Sequence, residues 1–162
     1  MKYLGKKSLS SLLVKILHIF WYLMIPISIL CFFFLFVMLF LNPLQYNEIL
    51  EVTKELNWYE DWKDANSIPF ILKLLIIPYL LINIFLLMKI LRISRELFKN
   101  FENDIIFNKN NVTIISKIGK FIIIFSILTF NLSSLIAGIL LLILCEIFKN
   151  GTYLQEEHDL TI

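Results

Sequence analysis

The sequence predicts an all-α, polytopic membrane protein, a transmembrane helix bundle, and three observations carry that prediction. Apolar blocks at 16–41, 68–88 and 121–145 are each long enough to cross a bilayer, since about 20 apolar residues at helical rise span the ~30 Å hydrocarbon core. The chain is 59% hydrophobic, with 15 Phe among 162 residues, against roughly 45–50% apolar residues in soluble domains. The first and third blocks contain no Asp, Glu, Lys or Arg. The runs lack the alternation of a membrane barrel. Their backbone polar groups must therefore be satisfied within helices.

Charge sets an expected topology. Residues 1–15 carry Lys2, Lys6, Lys7 and Lys15 and no acid. The segment 42–67 has six acids (Glu48, Glu51, Glu55, Glu60, Asp61, Asp64) against Lys54 and Lys63. Segment 89–120 has seven bases against Glu96, Glu102 and Asp104. Because Lys and Arg mark cytoplasmic segments, the N-terminus and a 93–111 loop are expected inside and a 42–67 loop outside. The chain reads as one integral membrane domain, 1–162, with a polar tail at 150–162. A basic start before an apolar run also describes a signal peptide, but a 26-residue run exceeds the 7–15 residues of a signal core, so a retained span is expected.

The elements follow in order. Ser8, Ser10 or Ser11 is expected to cap the first helix, with Lys15 snorkelling and His18, Trp21 and Tyr22 near the interface. Pro26 should kink this span, which Asn42-Pro43 ends. In the outer loop, Ile49, Val52 and Leu56 make a helical stripe. The Trp58–Trp62 aromatic and acidic cluster suits an interfacial helix better than a ligand-gripping lid, and no calcium-loop spacing accompanies it. Ser67-Ile68-Pro69 opens the second span. Lys73 should reach the outer interface, Pro78 and Asn83 lie deeper, and Lys89, Arg92 and Arg95 close the span. The helix continues to Phe98 and breaks across an Asn-rich stretch, 100–111, where Asn111 is expected to cap the next helix. Gly151 reads as a helix end, and Gly138 with Ala137 as a close-packing patch. Cys31 and Cys145 are distant, with no metal or redox spacing, and read as small hydrophobes.

The third block holds a polar knot, Asn131-Leu132-Ser133-Ser134. As one helix, 121–148 would be about 42 Å long and strongly tilted. As a tight hairpin, 112–130 and 135–149 would be two spans with Lys117 and Lys120 snorkelling. Hydropathy alone slightly favours three spans over four.

Three stretches carry a resemblance. The end, AGILLLILCEIFKNGTYLQEEHDLTI, the opening MKYLGKKSLSSLL and the inner segment LRISRELFKNFENDIIFNKNNVTIISKIGK resemble a bacterial multi-pass membrane family known only as domain of unknown function 2975. The resemblance covers most of the chain except the outer loop. It implies four spans with both ends cytoplasmic in the cell membrane, and genes often adjacent to a small helix-turn-helix regulator. It supplies no catalytic residues. Members usually have a longer stretch between the third and fourth spans, which here is reduced to 131–134. With the resemblance added, the hairpin is preferred.

No HExxH, GxSxG, paired-Asp or glycine-rich nucleotide motif is present. His18 and Ser126 lie in different spans and make no catalytic set, so no enzyme, cofactor or metal site is expected. The expected function is a membrane-anchored regulatory or accessory protein, with a small transporter or channel as the alternative. Expected partners are the lipid bilayer, a cytoplasmic helix-turn-helix regulator and a second copy of the chain, without direct nucleic-acid binding. The candidate functional residues are Glu146 at a span end, Asn83 within a span, Asn131 at the knot, and Glu156, Glu157 and Asp159 in the tail. Intramembrane ionisable groups mark pathways in transporters, and the tail acids would meet a basic loop or partner.

Overall fold

The computed structural model describes residues 3–6, 8–40 and 59–160, with the backbone alone at 38–40, 59, 62, 65, 66, 159 and 160. The described residues form five helices and no strand: α1 (Leu9–Phe40), α2 (Tyr59–Ser67), α3 (Phe70–Glu102), α4 (Lys109–Thr129) and α5 (Leu132–Leu160). All but α2 are long and apolar enough to cross a membrane. Over its described residues the chain is thus an all-α integral membrane protein with four helices fit to span a membrane. The Ile49 stripe, Asn42-Pro43 and Trp58 lie outside the described residues. In α2, Glu60 and Asp61 occupy the first turn, where the helix dipole favours acids.

The polar knot makes a hairpin. Phe130 turns into the left-handed region (φ 51°, ψ 36°), and its N–H donates to Ile127 O and Ser126 O. The Asn131 N–H donates to Ser126 O at 2.9 Å, so the Ser126 and Ile127 carbonyls in the last turn of α4 are satisfied. Asn131 then caps α5, its Oδ1 accepting from the Ser134 N–H at 2.9 Å and its carbonyl from the Leu135 N–H at 3.1 Å. A left-handed Phe costs roughly 1–2 kcal/mol. It is spared side-chain crowding here, because Phe130 is 95% exposed. The Asn131 side chain rather than a serine hydroxyl carries the cap, since Ser134 contributes its backbone N–H.

Contacts divide the chain into two compact units, Met1–Leu23 with Asn83–Ile162, and Met24–Ile82. The first holds the core, in which Leu97, Ile114, Ile115 and Ile118 are buried against Ile93, Phe101, Ile122, Leu141, Cys145 and Phe148. Its α4–α5 hairpin packs closely at two glycines. A Cβ on Gly138 would lie 2.7 Å from Ile123 Cγ1 and 3.1 Å from Gly119 O, and one on Gly119 would lie 2.9 Å from Leu142 Cδ2. Gly138 therefore works with Gly119 across the hairpin, not with exposed Ala137, because small residues let the two backbones approach.

The second unit, Met24–Ile82, is different. Ile29, Leu30 and Phe33 of α1 and Phe70, Ile71 and Leu75 of α3 are exposed, as lipid-facing side chains of membrane helices are. Both α1 and α3 run through their prolines, Pro26 and Pro78, as continuous helices. Lys73 is buried, with 9% exposure. The reason is its helical phase, since it shares a face with half-buried Ile76, Ile77 and Leu80.

Candidate functional site

The polar groups concentrate at one end of the first unit, where the N-terminal lead, the C-terminus of α3, the 103–108 connection and the last turns of α5 meet. Ser8 precedes α1 and accepts the Leu12 N–H at its carbonyl, 3.2 Å. Its hydroxyl donates to Gly5 O at 2.5 Å and lies 2.6 Å from Ser10 Oγ. The Gly5 N–H donates to Phe101 O at 3.1 Å, and Ser11 Oγ donates to Glu102 Oε1 at 2.7 Å. Among the three serines, Ser8 sits at the cap position, and Ser11 instead ties α1 to α3.

The Asn-rich connection is shorter than its sequence suggests. Helix α3 continues to Glu102 and α4 starts at Lys109, so only 103–108 is non-helical. Asn108, not Asn111, caps α4, its Oδ1 accepting from the Asn110 N–H at 2.8 Å. Asn111 instead points inward and is fully buried (0% exposed). It accepts from Asn100 Nδ2 at 2.6 Å and donates through its own Nδ2 to Ile105 O and Ile106 O at 2.8 and 2.9 Å. One amide thereby holds the end of α3, the connection and the start of α4 together. Sequence spacing could not separate the two asparagines, since both stand near a helix start and only burial distinguishes them.

Gly151 does not end a helix. Helix α5 passes through it to Leu160, and Phe107 takes the space a side chain would need: a Cβ there would lie 2.5 Å from its ring. Phe107 also packs on Phe148, ring centroids 5.6 Å apart, and Phe148 stacks on Phe101 at 6.0 Å. Cys145 Sγ lies 3.3 Å from Val112 O, which sets Phe148 opposite Lys109. Residues 149–160 therefore extend about 18 Å beyond the start of α4. On this extension Glu156 pairs with Lys109 at 2.8 Å, above a small cleft lined by Phe107, Asn108 and Thr152.

A larger groove opens between α1 and α3 within the same unit. One part, about 490 Å³, is lined by Trp21, Tyr22, Arg92, Arg95, Glu96 and Lys99. An adjoining part, about 430 Å³, shares Trp21, Arg92 and Glu96 and adds Phe85, Met88 and Lys89. Positions 92, 95, 96 and 99 form one stripe of α3 at helical spacing. Lys89 stands over the Phe85 and Phe121 rings, 5.2 and 6.0 Å from their centroids. Arg95 Nε and His18 Nδ1 are buried without a hydrogen-bond partner among the described residues, a state that ordinarily costs about 1–3 kcal/mol per group.

The expected site residues are not brought together. Glu146 is exposed and pairs with Lys149 at 3.3 Å, a helix-surface contact. Asn83 is buried on α3, and exposed Asn131 caps α5 at the hairpin turn. Glu156 faces Lys109, Glu157 is exposed, and the Asp159 side chain lies outside the described residues. Among the described residues no group of three or more His, Cys, Asp or Glu is placed to hold a metal ion. The sequence alone places Lys89, Arg92 and Arg95 at the end of the span, but the addition of Lys99 and the pairing of this stripe with Trp21 and Tyr22 need the Ser11–Glu102 register. Compared with protein-family models, curated proteins and solved structures, the chain gives no match.

Proposed function

We propose that the chain is a non-enzymatic, membrane-anchored regulatory or accessory protein of a bacterial cell membrane, working with a cytoplasmic helix-turn-helix regulator. The observation that carries this reading is the extension of α5. It projects beyond the start of α4, bears Glu156, Glu157 and His158, and is braced by Phe107 under Gly151 and by Lys109. A helix so braced presents its acids in a defined geometry, which suits recognition by a basic protein surface. The serine-rich lead at 8–11 and the last turns of α5 lie at the same end of the first unit as the C-terminus of α3 and the start of α4, an end that carries Arg92, Arg95, Lys99 and Lys109, which supports a cytoplasmic placement for it. The identity of the regulator rests on the resemblance to domain of unknown function 2975.

The test is to purify tagged full-length chain in mild detergent and to compare it with Glu156→Lys/Glu157→Lys. A helix-turn-helix protein should copurify with the wild type and be lost from the variant, and deletion should change transcript levels. Recovery of no such regulator, with unchanged transcripts, overturns the reading.

The alternative, a small transporter or channel, draws on Lys73 and Asn83, polar side chains buried along apolar α3, since such groups line pathways. Glu146 does not strengthen it, being exposed beside Lys149.

A further inference from the structure

We infer that the groove between α1 and α3 is a binding site for an anionic phospholipid, with Arg92, Arg95 and Lys99 holding the phosphate and Trp21, Phe85 and Met88 lining the path of the chains. The inference is independent of any regulatory partner.

Charge comes first. The groove presents Lys89, Arg92, Arg95 and Lys99 against the single acid Glu96, an excess of three positive charges. Among the described residues none of these five side chains takes part in an ion pair. Lys89 is occupied by two aromatic faces, which leaves the two arginines and Lys99 for an anion. Guanidinium groups match phosphate oxygens in a planar, bidentate fashion. Arg95 Nε is already desolvated and has no acceptor among the described residues, as a donor reserved for a ligand oxygen would be.

Level and polarity then choose the source of that phosphate. Ser11 meets Glu102, and α1 and α3 run in opposite directions. Trp21 and Arg92 therefore stand at the same level, each ten residues from that pair, or about 15 Å into the helices. Beyond Lys89 the apolar part of α3 begins, with Met88 and Phe85 continuing the groove in that direction. A basic mouth at the edge of an apolar span, with Trp and Tyr beside it, is at headgroup depth. Along α3 the lining passes from Lys99, Arg95 and Arg92 to Met88 and Phe85, the direction in which a phospholipid would lie, and basic pockets between spans take anionic headgroups. A soluble phosphate would leave the Trp21–Phe85–Met88 half unused.

Trp21 reports on the site directly. The chain has three Trp, so Trp58→Phe/Trp62→Phe leaves Trp21 alone. This full-length protein is reconstituted in phosphatidylcholine vesicles containing a minor fraction of lipid brominated on its acyl chains, either phosphatidylglycerol or phosphatidylcholine. Brominated phosphatidylglycerol should quench Trp21 more than brominated phosphatidylcholine at equal fraction. Each neutralisation, Arg92→Gln, Arg95→Gln or Lys99→Gln, should lower that preference about fivefold, the effect of roughly one juxtamembrane base. Lys117→Gln/Lys120→Gln, which removes two exposed bases outside the groove, should leave it intact. Equal quenching by the two lipids in the otherwise wild-type background overturns the site, whatever the fold of the variants. So does an equal loss in the Lys117/Lys120 variant, which would mean unspecific attraction. Abolition of the preference by inorganic phosphate at constant ionic strength would assign the pocket to a soluble phosphate and overturn the lipid.

Discussion

The two halves of α1 and α3 belong to different kinds of structure. In the unit formed by Met1–Leu23 and Asn83–Ile162, the helices are joined by Ser11–Glu102, Asn100–Asn111 and Lys109–Glu156 around a small aliphatic core. In Met24–Ile82 the same helices display Ile29, Phe33, Ile71 and Leu75. The difference teaches what each segment is solvated by. Against lipid tails an exposed Leu or Phe costs nothing, so apolar surface supplies no drive to associate, and close packing and polar bonds decide which surfaces meet. Specific structure therefore gathers where polar groups and glycines are, at the Asn111 end and along the Gly119–Gly138 contact.

The largest expected effect is at Asn111. Replacing it with Leu leaves the Asn100 amide and the Ile105 and Ile106 carbonyls without the partner that fully buried Asn111 provides, and a group stranded away from water costs up to about 1–3 kcal/mol. Asn111→Leu should thus destabilise the first unit by about 3 kcal/mol or more, read as a fall in the unfolding midpoint in detergent. A fall no larger than that of Asn110→Leu, whose side chain is exposed, would show that Asn111 does not organise this end.

Gly138→Val comes next. Its new methyl groups would run into Ile123 and the Gly119 carbonyl, an overpacking worth about 1–3 kcal/mol. Ala137→Val, one position along on an exposed part of α5, should cost much less. Equal thermal shifts for the two would mean that the hairpin does not pack through its glycines.

These two positions also mark how far the sequence was legible. The membrane-spanning blocks and the polar character of the C-terminal tail follow from hydropathy and length, which are local properties, whereas those properties alone lean towards three spans, and the hairpin at Asn131 is preferred only with the family resemblance added. Asn111, Gly119 and Gly151 do not follow from local properties, because each is defined by what faces it from another element. Asn111 and Asn108 have the same chemistry at nearly the same place in a helix start, yet one caps and the other is buried. Gly151 has the composition of a helix end but is kept small by Phe107, more than forty residues away in sequence. Likewise, the basic stripe of α3 reads as a topology signal until Trp21 and Tyr22 are set against it.

The smallest expected effect is on the lipid-facing side of the comparison. Phe33 is 66% exposed on α1, whereas Ile114 is 3% exposed in the core. Truncating Ile114 to Ala removes contacts that the hairpin makes only when folded, and such core truncations cost about 2–5 kcal/mol. Truncating Phe33 to Ala exchanges one apolar surface for another in the same lipid, in the folded and in the separated-helix states alike. The change should therefore be under about 1 kcal/mol, because lipid tails are as apolar as the side chain removed. Unfolding midpoints of the two variants, measured in the same bicelles, decide the matter. A Phe33→Ala loss equal to that of Ile114→Ala would require α1 to be covered at Phe33 by protein, and the contrast between the two regions would then be one of assembly rather than of solvent.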